Sequence, residues 1–71
     1  MIEVLQALRQ QTRGPQKIAV LKLLRREEAQ AEFKTRMMED YGWDGSTLVE
    51  LFKIVLENLP EILALILKLV A

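Results

Sequence analysis

Neither cysteine nor histidine occurs anywhere in this chain. The first absence excludes disulfides and thiolate metal sites. The second removes the commonest metal ligand and the usual general base. The N-terminal run Met1-Ile-Glu-Val-Leu-Gln-Ala-Leu lacks both a basic segment and a continuous apolar segment, so it does not read as a secretory signal. A cytoplasmic or intravirion setting, and not a secreted one, fits the cysteine-free composition.

What is present is a short chain rich in aliphatic residues. With 71 residues it forms one domain, residues 1–71. A domain of this size buries only about 60% of the surface of its unfolded form. Disulfides, metals or oligomerisation commonly make up the difference. With the first two removed, association is the route left open. The formal net charge is zero, but it is unevenly distributed. Residues 1–26 carry six basic side chains against Glu3, a balance of +5, and residues 27–71 carry four basic against nine acidic, a balance of −5. Such a dipolar chain can pack head to tail or antiparallel against its own copies, or turn a basic face toward nucleic acid or lipid.

Periodicity predicts an all-α fold of three to four helices, at about 2–13, 16–41, 47–59 and 60–71, forming a helical hairpin or small bundle completed by oligomerisation. Ile2, Leu5 and Leu8 recur at helical spacing, with Glu3 early and Arg9 and Arg13 late, as the helix dipole favours. Gly14-Pro15 ends this helix and opens the next. Ile18–Leu24 is apolar almost all round. Beyond it, Ala29, Phe33, Met37 and Tyr41 form one face, and Glu28, Glu32, Arg36 and Asp40 a second, exposed row. Residues 41–46 read as a loop, with Gly42 in a left-handed position, Trp43 folding back on Met38, and Thr47 with Glu50 matching a capping box.

From Thr47 to Ala71 the chain reads as apolar helix with more greasy surface than one subunit can cover. Its polar residues Glu50, Lys53, Glu57, Glu61 and Lys68, with Ala64, step by three or four and form one narrow strip that stays in phase across Pro60. That continuity suggests two nearly coaxial helices with a Pro kink or break near 58–60. The expected interface with a second copy or partner is Leu48, Leu51, Phe52, Val55 and Leu59, continued by Ile62, Leu63, Leu65, Ile66 and Leu69.

No residue pattern points to catalysis, a cofactor or a metal. Asp40-x-Gly-x-Asp44-Gly45 overlaps the start of an EF-hand loop, but Gly42 and Leu51 stand where ligands belong, and turn chemistry explains these residues better. The carboxylate pairs Glu27/Glu28 and Glu39/Asp40 have no nucleophile nearby in sequence and read as solvated helix surface. Trp43 is either a partner anchor or a lid on the helical corner. Arg9, Arg13, Lys17, Lys22, Arg25 and Arg26 form a candidate basic patch, and the first two helices invite a helix-turn-helix reading. The length of the second helix and its apolar start argue against that reading.

The functional expectation is a non-enzymatic helical oligomerisation, scaffold or interaction module whose partners are copies of itself or a larger assembly. A small structural protein of a virus or phage particle fits that description. The alternatives are a peripheral membrane-associated amphipathic protein, using the basic-apolar alternation of Lys17–Arg26, and a small dimeric DNA-binding regulator.

Overall fold

In a computed structural model describing residues 1–71, five helices follow one another: α1 (Ile2–Gln10), α2 (Pro15–Arg25), α3 (Glu27–Tyr41), α4 (Leu48–Glu57) and α5 (Leu59–Leu69). The chain is all-helical, and the count exceeds the three to four expected because the long second helix is two.

The break at Arg26 has a geometric cause. α2 buries Ala19, Val20 and Leu23, and α3 buries Ala29, Phe33 and Met37. In one continuous helix, Leu23 and Ala29 would be separated by about 600° of rotation, or 240° modulo a turn, and would face different directions. An extended Arg26 (φ −117°, ψ 109°) re-phases the chain so that both stripes meet one core. The orphaned carbonyls at the end of α2 are satisfied locally. The Gln30 side-chain amide donates to the carbonyls of Leu23 and Leu24, 3.0 Å each, and the Arg26 N–H donates to Leu23 at 3.3 Å.

α1 also stops short of the expected residue 13. Thr12 is buried, and its hydroxyl donates to the carbonyls of Leu8 (3.1 Å) and Arg9 (3.2 Å), which a further helical turn would have used. Gly14 (φ 63°, ψ −139°) therefore caps the start of α2 instead of the end of α1, with Pro15 opening the helix. At the other end, the chain breaks at Asn58 (φ −123°, ψ 32°), whose side-chain amide donates to the Ile54 carbonyl at 2.9 Å. Pro60 then sits in the first turn of α5, where its missing N–H costs nothing.

α2 is central. It packs against α1, α3 and α5, and α4 closes the structure by leaning on α1 and α5. Leu5, Leu8, Leu23, Phe33, Met37, Leu51, Ile62 and Ile66 are fully buried between these layers. The accessible surface is 4543 Å², close to the roughly 4,500 Å² expected of a folded monomer of this mass. One chain thus covers the centre of its own apolar C-terminal third, contrary to the expectation that it lacks the means. No helix is long and apolar enough to cross a membrane.

Candidate interaction surfaces

The loop between α3 and α4 forms from its own polar groups. Gly42 is left-handed (φ 72°), as expected, and lets the Trp43 N–H return to the Met37 carbonyl at 3.2 Å. The indole is 3% exposed, and its N–H donates to the Thr47 carbonyl at 2.8 Å. Trp43 is thus a lid on the α3–α4 corner, with no free face for a partner. The Thr47 side chain makes no cap bond, so the expected capping box is absent. Asp44 instead closes the turn that precedes α4: its Oδ1 accepts from the Ser46 N–H (2.9 Å), the Ser46 hydroxyl (2.9 Å) and the Thr47 N–H (3.4 Å). The Ser46 N–H, then its hydroxyl, hold the Asp44 carboxyl below its ordinary value. That oxygen faces the loop's own donors, and no acidic cluster in the fold is arranged to hold a metal ion.

The exposed carboxylates also have structural roles. Glu27 and Glu28 lie in the first turn of α3, where they complement the helix dipole. Asp40 accepts from Arg36 Nε at 2.9 Å. Tyr41 donates to Glu61 Oε2 at 3.3 Å, and its phenol is pushed up by burial and then by the Glu61 charge.

The ten residues expected at an interface divide evenly. Leu51, Val55, Ile62, Leu63 and Ile66 are buried within the chain itself and unavailable to a second copy. Leu48, Phe52, Leu59, Leu65 and Leu69 are half-buried at the edge of the core. The polar strip Glu50–Lys68 is exposed along both helices, as its phase requires. The apolar side chains that do reach solvent flank the expected stripe. They include Val49 (80% exposed) and Leu56 on α4 and Leu67 on α5; elsewhere Ile2 on α1, Ile18 on α2 and Met38 on α3 are also exposed. The available signal was the width of the apolar arc. A core claims its centre, and the margins at Val49 and Leu56 remain outside.

Those margins form two apolar grooves. The first lies between α1 and α4 and is lined by Glu3, Val4, Ala7, Leu48, Val49 and Phe52. Leu56 lies two turns beyond Val49 on the same face of α4. The Glu3 carboxylate stands 3.6 Å from the Met1 amino group, and its own backbone N–H, then that cation, lower its pKa. The second groove lies between α2 and α5. Ile18, Ala19 and Lys22 form one wall, and Leu67, Val70 and Ala71 the other.

The basic residues are all exposed but do not form one patch. Arg9 and Lys17 converge with Gln6 and Gln10 on a polar concavity between α1 and α2. Lys22 belongs to the α2–α5 groove. Lys22 and Arg25 sit in the last turn of α2, where cations are favourable. Arg26 reaches across to the end of α5, and Arg13 lies in the α1–α2 connection.

No protein-family model, curated protein or solved structure matches this chain at a significant level.

Proposed function

We propose that this chain is a non-enzymatic helical interaction module that assembles with copies of itself or docks into a larger protein assembly. The observation carrying this reading is Val49, an aliphatic side chain 80% exposed beside an open apolar groove in a fold whose core is otherwise closed. Both apolar grooves are lined mainly by aliphatic groups, which suit protein contact better than acid–base chemistry. The test is light scattering coupled to size exclusion on the wild type. A mass above that of a single chain, rising with concentration, supports the reading. A monomer at every concentration removes self-assembly and leaves only a foreign protein partner.

A second reading, nucleic-acid binding, draws on the convergence of Arg9, Lys17, Gln6 and Gln10. The split at Arg26 shortens α2 to 11 residues, which removes the length objection to a helix-turn-helix. Binding to duplex DNA whose affinity falls steeply with salt, and is lost in Arg9→Ala/Lys17→Ala, supports it. A salt-independent curve counts against it.

A further inference from the structure

The two apolar grooves differ in charge. The one charged side chain that lines the α2–α5 groove is basic, and α2 itself carries no Asp or Glu. Lys22 lines the groove. Arg25 lies on the Ile18–Lys22 face of α2, and Arg26 reaches the carbonyl of Val70, one of the groove's lining residues. The α1–α4 surface has the opposite character. Glu3 lines it, with the Met1 amino group as its partner, and the excess of negative charge comes from Glu50 and Glu57, exposed along α4 against the single Lys53. Each surface presents protruding aliphatic groups: Val49 and Leu56 on the acidic side, Ile18 and Leu67 on the basic side. The grooves share no residue and are built by different helix pairs, so one molecule can engage both at once.

We propose that the occupant of the basic α2–α5 groove is the acidic, apolar α4 face of a second copy of this chain. Resting on the interaction-module reading, this makes the self-contact heterologous, with one surface meeting a different one, so assembly proceeds head to tail toward a ring or an open chain. A second copy fits better than other occupants because the chain itself exposes the required chemistry, an amphipathic helix edge whose aliphatic knobs Val49 and Leu56 lie beside Glu50 and Glu57. Each groove is small, so a single contact is weak, in the micromolar to millimolar range.

The experiment uses two full-length variants at well-exposed positions. Val49→Lys spoils the acidic face and keeps the groove, and Ile18→Glu spoils the groove and keeps the acidic face. Circular dichroism confirms that both fold. By light scattering the wild type gains mass with concentration, and added salt reduces the gain. Each variant alone remains a single chain of 8.2 kDa. Their equimolar mixture recovers one intact contact and gives a 1:1 heterodimer of twice that mass. A mixture that stays monomeric while the wild type assembles overturns the head-to-tail contact but leaves the interaction-module reading standing. A wild type monomeric at all concentrations overturns self-assembly altogether. A wild type that stays monomeric but floats with vesicles containing phosphatidylserine, with Ile18→Glu failing to float, overturns the proposal in favour of a lipid surface.

Discussion

Arg26 Nη1 donates to the main-chain oxygen of Val70 at 3.2 Å, tying the extended residue between α2 and α3 to the end of α5. The two residues are 44 apart in sequence. The contact places a cation on the carbonyl end of a helix and satisfies one of its orphan acceptors. Arg26→Ala removes it. Because Arg26 is exposed and solvent screens its charge, the loss is about 1 kcal/mol, that of an ordinary hydrogen bond. Denaturant unfolding reads that difference, and hydrogen exchange places the loosening in the last turn of α5. An unchanged exchange pattern there means that the bond carries no stability.

That pair also shows why part of the fold was legible in sequence and part was not. Helical periodicity is a local signal, so the face Ala29–Phe33–Met37, the exposed row from Glu28 to Asp40 and the wet strip from Glu50 to Lys68 were readable directly. The break at Arg26 carries no Gly or Pro. It follows from a phase mismatch between Leu23 and Ala29, visible only once both are required to face one core. The burial of five of the ten expected interface residues was not legible for a related reason. Apolar width says that a helix needs several neighbours, but not whether they come from the same chain. α1, α2 and α3 supply enough to bury Leu51, Val55, Ile62 and Ile66. The expected cap at Thr47 is not made, and Asp44 organises the turn before α4 instead, because several neighbouring residues could bond these N–H groups and only geometry chooses between them.

Gly14 is held at φ 63°, ψ −139°, near a region that only glycine enters readily. A Cβ built there meets nothing within 4 Å, so any penalty is backbone strain and not collision. Gly14→Ala is expected to cost roughly 1–3 kcal/mol. Thermal unfolding checks this against Ala31→Gly, a change at an exposed α3 position where the helix-propensity loss is about 1 kcal/mol. Equal stability of Gly14→Ala and wild type contradicts the strain.

Asp44 sets a pH dependence. Its folded-state pKa lies below the ordinary carboxylate value of 3.8 because the ionised form accepts the Ser46 and Thr47 donors. A group depressed in the folded state contributes stability that is present above its unfolded pKa. That stability is lost as pH falls through the lower folded value. Asp44→Asn is therefore less stable than wild type near neutrality, and the gap closes in acid below the folded-state pKa. A gap of constant size from neutrality down through that window contradicts the assignment of the loop to the carboxylate.

The single tryptophan reports on the same corner. With 3% exposure and its N–H bonded to Thr47, its fluorescence is expected to be blue-shifted in the folded protein, poorly quenched by acrylamide, and red-shifted on unfolding. Trp43→Phe keeps most of the ring volume and deletes the N–H. The Thr47 carbonyl still accepts the Leu51 N–H at 3.2 Å, so it is not left unsatisfied. The expected loss is about 1 kcal/mol. Trp43→Ala also opens a void and costs about 3–5 kcal/mol. Ready quenching in the native state would place the indole at the surface after all.

Ile66 and Leu67 are neighbours on α5 with opposite fates. Ile66 is fully buried, and Leu67 is 40% exposed. A domain of 71 residues has a stability of roughly 4–10 kcal/mol in total. Ile66→Ala removes about 2–5 kcal/mol through lost burial and a residual cavity, a large share of that total. Ile66→Glu adds an unpaired buried charge and is expected to unfold the chain, because no cation lies among the buried residues to receive it. Leu67→Glu faces the mouth of the α2–α5 groove beside Lys22 and is expected to fold, with a thermal midpoint near that of the wild type. The same substitution one residue apart thus separates core from exposed surface. Circular dichroism melts decide it: a folded Ile66→Glu places the apolar centre of α5 at an interface, and an unfolded Leu67→Glu places its margin inside the core.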